Sequence, residues 1–537
     1  MSETTVRMKS YIQPFEKYLA RLELSAILED NDLVEKESDS GVVEVVFNTT
    51  KSIQKIADKL TYWETIKGAE AYYTLQSLRE STVNVARNGI SFDELSALLP
   101  FSGEVLLPNR RCLRYATHGI HEYKGKYFPQ LVRSLLNVAQ LKPGSSKILD
   151  PMCGSGTTLV EAILENHSAT GIDMNPLSVF ISKTKCAILN VSASVIEAEY
   201  RKLRSSLLSA KPIKNISKLK YFKTLPEKDQ KYLLGWFASE VLFDLDQLMV
   251  VIHRVKNIDT RNLFLVSLSN IIRRVSWQKV DDLRVRKEVL ENVEIDTVKE
   301  FLLEAERSVR LTLAFVHQNN GRKIGQHKIL QGNSRDVLKQ ILDENNKFDA
   351  IVTSPPYATA LPYLDTDRLS LSYLGLLARE DYKDADSHMI GNREISASTR
   401  KAMREEYMKS KGTLPSSIVR LIDKIDRLNL NADVGFRRKN LSALLGKYFF
   451  DMKKMFALMH LVLKPEGHIF MVVGGNHTIA GGHPIDINTI DLLVDLAQAT
   501  GFKLSDKIDM EMLVNRNVHK KNATKTESIL WLTRLPS

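Results

Sequence analysis

Ser354-Pro355-Pro356-Tyr357 follows directly on the run Phe348-Asp-Ala-Ile-Val-Thr353. Alternating and apolar residues make that run a buried strand, and two consecutive prolines forbid it to continue. A hydroxyl, two rigid residues without N–H donors and an aromatic ring are thus fixed at the strand's carboxyl end. Open α/β sheets place their ligands there. A planar base could stack on Tyr357 while its amino group donates to Ser354 and to the carbonyls beside the prolines. On its own the tetrapeptide reads equally well as a surface turn.

A second group of residues bears on that choice. In Asp150-Pro-Met-Cys-Gly-Ser-Gly-Thr-Thr158, Gly154 and Gly156 let the backbone turn sharply and approach a ligand with no Cβ in the way. The helix that follows presents free N–H groups. The spacing is related to the G-x-G-x-x-G dinucleotide fingerprint but departs from it, because Thr157 and Thr158 stand where a further glycine would come. No lysine stands in a G-K-[ST] arrangement, which argues against a P-loop phosphate site. Asp173 comes about 20 residues after the glycines, where an acidic side chain accepts hydrogen bonds from both ribose hydroxyls. Together these features point to a nucleoside-bearing cofactor.

Such residues need elements to hold them. Ser146 to Asp150 reads as a strand, followed by a helix through Asn166 and a second strand from Ala169 to Asp173, a β-α-β unit. Strand signals return at Lys328 to Leu330 and at Phe348 to Thr353. A helix from Tyr448 to Leu463 leads through Lys464-Pro-Glu-Gly467 into a strand from His468 to Val473. Met510 to Val514 and Ser528 to Thr533 read as a hairpin around the basic loop Asn515 to Lys525. Residues 1–110 are predicted to be mainly helical, with helical spacing over Tyr11 to Leu28 and Ser52 to Arg87 and a short strand, Val42 to Phe47, between them. Tyr62, Trp63, Tyr72 and Tyr73 in the second tract read as core.

Two further segments look like insertions. Residues 191–325 are predicted helical and carry a basic stretch, Ile271 to Lys279, that continues to Arg284, Arg286 and Lys287. Residues 378–440 are polar and basic, with Arg393, Arg400, Lys401, Arg404, Lys409, Lys411, Arg437, Arg438 and Lys439. At 537 residues the chain is long for one core, which predicts one large domain with insertions, or two to three domains. The 75 Lys and Arg against 64 Asp and Glu give a net charge of +11, which suits a polyanionic partner and equally serves solubility. Cys112, Cys153 and Cys186 have neither the number nor the spacing of a disulfide framework or a zinc site, so no metal is expected and a reducing cytoplasm is. The sequence shows no apolar run near the ~20 residues of a membrane span and no signal-peptide pattern, so no membrane partner is expected.

Asp150 to Thr158, Gly171-Ile-Asp-Met-Asn-Pro-Leu-Ser178 and Thr353-Ser-Pro-Pro-Tyr357 resemble motifs I, II and IV of the S-adenosylmethionine-dependent amino-methylating DNA methyltransferases. The serine form of the fourth motif most resembles the cytosine-N4 branch, since adenine-N6 enzymes more often carry Asp or Asn there. Thr117 to Leu131 resembles the motif X of the same family, which implies that Lys126, Phe128 and Pro129 help to seat the methionine end of the cofactor. The resemblance covers about 111–190, 326–377 and 445–534. It implies an α/β fold, a Rossmann-like class I methyltransferase core built from 111–190, 326–377 and 441–537. The sheet would be mostly parallel with an antiparallel C-terminal strand, beside a helical N-terminal region and helical insertions.

The same resemblance implies cofactor contacts from Asp150, Pro151, Cys153, Gly154, Ser155, Gly156, Thr157, Asp173 and Asn175. Asn333 stands where the family often has aspartate after a glycine, and its amide oxygen would accept from the adenine amino group, with Asp336 read as a helix-start residue. Catalysis would fall to Ser354, Pro355, Pro356 and Tyr357, acting on a base flipped from double-stranded DNA at a cost of a few kcal/mol. No covalent adduct is needed, so Cys153 is not read as a nucleophile, and His118 and His121 shape the pocket. The segment 378–440 is assigned to strand contact and 191–325 to sequence recognition, with a cognate restriction nuclease as a further partner. Adenine-N6 methylation, RNA guanine-N2 methylation and an inactive DNA-binding subunit are the alternatives to cytosine-N4 methylation.

Overall fold

The computed structural model describes residues 2–29, 33–37, 41–87, 89–123, 125, 127–279, 286–289, 294–358, 363–391, 395–430, 432, 435–511 and 526–536. A seven-stranded sheet organises the core. Its strands are β1 (Lys147–Asp150), β2 (Ser168–Asp173), β3 (His327–Gln331), β4 (Phe348–Thr353), β5 (Leu463–Gly474), β6 (Phe502–Glu511) and β7 (Thr526–Arg534). They lie in the order β3-β2-β1-β4-β5-β7-β6. β1 to β5 are parallel, and β7 runs antiparallel to both β5 and β6.

Parallel neighbours require crossovers, and helices supply them. These are α1 (Thr157–Leu164) after β1, α2 (Pro176–Ala187) after β2 and α3 (Ser334–Asp343) after β3. α4 (Leu441–Val462) precedes β5, and α5 (Thr489–Gln498) precedes β6. The α/β fold with its mostly parallel sheet and antiparallel C-terminal strand is thus as the sequence predicts. The hairpin is longer than expected, since β6 begins at Phe502, and its connecting basic residues 515–525 lie outside the described residues.

Alternate residues of the central strands feed two separate cores, as a pleated strand requires. Ile148, Ala350, Val352, Phe470 and Val472 pack with the N-terminal region and the helices of 191–325. Leu149, Ile351, Ile469, Met471 and Val473 pack with α3, α4, α5 and the helices of 378–440. A sheet apolar on both faces is a sheet covered on both faces. Among the described residues no single helix is long and apolar enough to cross a membrane.

The expectation of a mainly helical region over residues 1–110 is overturned. Ser2–Met8 is the middle strand of a five-stranded antiparallel sheet, flanked by Val43–Thr49 and Trp63–Lys67, with Val34–Glu37 and Ala71–Tyr73 at the edges. The tract Ser52 to Arg87 contains two of those strands between the helices Ile53–Lys59 and Leu75–Arg87. Helix Pro14–Leu28 lies within the first predicted helical tract. Tyr62 and Trp63 are buried in the core.

A buried ionic cluster bolts this region to the central sheet. Arg133, fully buried on helix Pro129–Val138, donates to Gln76 Oε1 at 3.0 Å and to the carbonyl of Asp58 at 2.5 Å. It also pairs with Glu165 at 3.2 Å, and Arg79 reaches the same carboxylate at 3.0 Å. Removing Arg133 leaves Gln76 and the Asp58 carbonyl without this donor and Glu165 with one cation instead of two, a break in a buried network that costs about 3–5 kcal/mol. Arg133→Met is therefore expected to lower the free energy of unfolding by an amount in that range, measured by denaturant titration. A variant as stable as the wild type would show that the cluster does not hold the N-terminal region to the sheet.

Candidate functional site

A cleft opens at the carboxyl ends of the strands. It sits around the β1–β4 boundary, where the strand order reverses and α/β sheets bind ligands. The loop after β1 contributes Met152 and Gly154, and the end of β2 contributes Asp173, Met174 and Asn175. Asn333 and Ser334 come from the end of β3, Ser354 and Pro356 from the end of β4. Tyr123 and Gly125 line it from the segment before β1, and His388, Met389 and Ile390 from the segment 378–391.

Asp150 closes β1 and is buried. Thr353 Oγ1 donates to its carboxylate at 2.7 Å, Tyr127 Oη at 3.1 Å and the Met152 N–H at 3.2 Å. Burial pushes its carboxyl up to about 6 against the pull of those donors. The residue holds β1, β4 and the Tyr127 segment together, and it does not line the cleft.

Asp173 does line it. The N–H of Gly154 donates to one carboxylate oxygen and the N–H of Asn175 to the other, each at 2.8 Å. Each oxygen keeps acceptor capacity for a hydroxyl from the cleft. Burial pushes this carboxyl, too, up to about 6. Gly154 has φ +48°, and a Cβ there would lie 3.2 Å from the Tyr123 ring. Only glycine lets the turn pass between that ring and the aspartate.

The other sequence-predicted cofactor residues divide into those that line the cleft and those that build it. Asn175 and Asn333 line it. Their side-chain oxygens cap helices: Asn175 Oδ1 accepts from the Leu177 N–H, and Asn333 Oδ1 from the Arg335 N–H at 3.1 Å and its Nε at 2.9 Å. Asn175 Nδ2 also donates to Asp367 at 2.8 Å. The Pro151 carbonyl accepts from Ser334 Oγ. Cys153, Ser155 and Thr157 are buried beneath the turn, and burial pushes the Cys153 thiol well above its usual range. Gly156 starts α1 at φ +81°.

Lys126 lies outside the described residues. Phe128 stacks under the Arg111 guanidinium at 4.5 Å, and Pro129 is buried at the start of its helix. From this stretch, Tyr123 and Gly125 reach the cleft, and Tyr127 reaches Asp150. Sequence reasoning missed both tyrosines, although they flank Gly125 inside the motif it singled out. Met152 and Met174 neighbour residues it named. Nothing in the sequence announced His388 to Ile390.

At the end of β4, Ser354 Oγ donates to the Val472 carbonyl of β5 at 3.0 Å. Pro355 is buried, Pro356 faces the cleft, and Tyr357 Oη donates to Glu527 Oε1 of β7 at 2.5 Å. The basic stretch around Ile271 is half core, with Ile271, Ile272 and Val275 buried. Its Arg274 pairs with Glu300 and Glu304, and Arg273 donates to the Lys279 carbonyl. Arg284, Arg393 and the side chain of Arg437 lie outside the described residues.

Residues 121–209, which supply the glycine turn and Asp173, match a family model described as RMKL-like, methyltransferase domain. The chain carries a methyltransferase domain. Its methyl donor is S-adenosylmethionine. The chain is 27% identical to the type II methyltransferase M.MvaI of Kocuria varians over 69% of its length and 79% of that protein. It is 23% identical to the type II methyltransferase M.BsoBI of Geobacillus stearothermophilus over 74% of its length and 81% of that protein. The crystal structure of TrmN from Thermus thermophilus overlaps all of both chains at 10% identity with a TM-score of 0.32.

The cleft fits that donor. It presents the buried Asp173 carboxylate and passes a glycine turn where a Cβ would intrude, features that suit a nucleoside-bearing donor. Accepting from two hydroxyls requires Asp173 to be ionised. Its carboxyl is raised to about 6, so cofactor affinity is expected to fall as pH drops through about 6. Asp173→Asn should weaken binding at neutral pH and flatten that profile, measured by calorimetric titration from pH 5 to 8. An Asp173→Asn variant with the wild-type profile would place the titration elsewhere.

Proposed function

We propose that this chain transfers the methyl group of S-adenosylmethionine to the exocyclic N4 of cytosine in double-stranded DNA. Ser354 carries this reading: a hydroxyl, and not a carboxylate, ends β4 at the edge of the cofactor cleft. Its proton is committed to the Val472 carbonyl at 3.0 Å, so its oxygen lone pairs remain to accept from an amino N–H. The carbonyl beside Pro355 is a second acceptor, with no neighbouring proline N–H to compete. Two acceptors orient the amine and stabilise the positive charge that grows on it.

The bound cofactor supplies an electrophilic methyl carbon. The protein holds the nitrogen in line and lets the released proton pass to water. Tyr357 stacks on the flipped base, and its ring is steadied by the hydrogen bond to Glu527 at 2.5 Å. Cys153, with its thiol sealed beneath the turn, takes no part.

Likeness to the type II methyltransferases M.MvaI and M.BsoBI supports a restriction-modification role, with a cognate nuclease as partner and a cytoplasmic setting. In 378–440, Lys401, Lys409, Arg438 and Lys439 are exposed and suit phosphate contact, which makes binding salt-dependent. Arg404 and Lys411 there are paired with Asp426 and Asp423. The helices of 191–325 are assigned to base reading.

Sequencing DNA from expressing cells, by a chemistry that separates 4-methylcytosine from 6-methyladenine, should show 4-methylcytosine at one short motif. Finding 6-methyladenine instead transfers the reading to adenine. In tritiated methyl transfer with purified protein, Ser354→Ala and Tyr357→Ala should each lose about 10²-fold or more in rate. Undiminished transfer in both would move the site away from β4.

A further inference from the structure

The segment His388-Met389-Ile390 lines the cleft, yet it pairs with no strand among the described residues. Two cations from two helices hold it. Arg335, the second residue of α3, donates through Nη2 to the His388 carbonyl at 2.7 Å. Lys447, on α4, donates through Nζ to the next carbonyl, that of Met389, at 3.2 Å. Two positive side chains thus converge on adjacent carbonyls in a largely buried place, where they repel one another.

Asp451 removes the repulsion. One turn along α4 from Lys447, it takes the lysine on Oδ2 at 2.6 Å and the Arg335 guanidinium on Oδ1. The carboxylate is only 13% exposed, Arg335 11% and Lys447 19%, so the charges are poorly screened by solvent. Arg335 also donates to Asn333, itself a cleft residue, through Nε at 2.9 Å. One carboxylate therefore fixes the end of β3 and the 388–390 segment relative to each other.

We propose that Asp451 is a positioning residue for the cofactor: it pins Met389 and Ile390 as the apolar wall against which the adenine of S-adenosylmethionine packs. The chemistry suits a purine face, because the cleft's apolar lining is Met152, Met174, Met389, Ile390 and Pro356, and polarisable thioethers pack well on aromatic rings. The inference rests on placing the cofactor in this cleft. It also gives the segment 378–440 a task beyond the nucleic-acid contact assigned to it, since part of it is cofactor wall.

The test is calorimetric titration of the full-length protein with S-adenosylmethionine and with S-adenosylhomocysteine, paired with steady-state kinetics. Asp451→Asn keeps size and loses charge; its Kd for both ligands should rise roughly tenfold or more. KM for the cofactor should rise in step, while kcat at saturating cofactor stays within about twofold, a split that general loosening of the fold would not give. Met389→Ala, which leaves the ion cluster intact, should weaken both ligands in the same way and serves if Asp451→Asn does not fold. Asp173→Ala is the control for the cleft itself. If Asp173→Ala weakens binding and neither Asp451→Asn nor Met389→Ala does, the wall assignment is overturned and the cleft stands. If none of the three changes Kd, the cofactor lies elsewhere and both fall.

Discussion

A carboxylate buried where the strand order reverses is the constraint on which the site depends. Asp150 would be costly there without donors. The hydroxyl of Thr353, the N–H of Met152 and the phenol of Tyr127 satisfy it. Each donor belongs to a different piece of the structure: the end of β4, the glycine turn after β1, and the segment that brings Tyr123 to the cleft. Tyr127 also bonds Thr158, which in turn donates to the Val352 carbonyl. The spacing between the glycine turn and Ser354 is thereby set by hydrogen bonds within the sheet.

Around that point the sheet separates two bodies of structure. One face meets the N-terminal sheet and the helices of 191–325; the other meets α3, α4, α5 and the helices of 378–440. The cleft draws on both, because Tyr123 arrives from one side and His388 to Ile390 from the other. The 378–440 addition is thus part of the cleft's frame. Asn175 shows the same economy, capping α2 through its oxygen while its amide nitrogen ties down Asp367, ten residues beyond Tyr357.

The sequence made the core legible where local signals coincide with the final fold. Short apolar runs ending in Asp150, Asp173 and Thr353 bury both faces of central strands, and their carboxyl ends do meet at one cleft. The N-terminal sheet was misread for a physical reason. Ser2–Met8 is a middle strand only because Val43–Thr49 and Trp63–Lys67 pair with it from either side, and such pairing leaves no trace in local spacing. The Trp63 and Ala71 strands are short and stand between genuine helices, so their apolar residues blend into a helical pattern. The same limit hid the cluster of Arg335, Lys447 and Asp451, whose members are more than a hundred residues apart in the chain except for one helical turn. Tyr123 and Tyr127 were hidden differently, in plain view beside residues assigned to the same task.

The bond from Tyr357 to Glu527 joins residues 170 positions apart. β5 likewise has no partner on its outer side until β7 is made. At roughly 5–20 residues per second of synthesis, about 10–30 s separate the emergence of the aromatic ring from that of the carboxylate that steadies it. During that interval the glycine turn and Asp173 are already synthesised, while the wall that ends at Tyr357 is incomplete. Ligand binding to such a partly built sheet would favour the compact state by mass action, and chemistry would wait for the last strand.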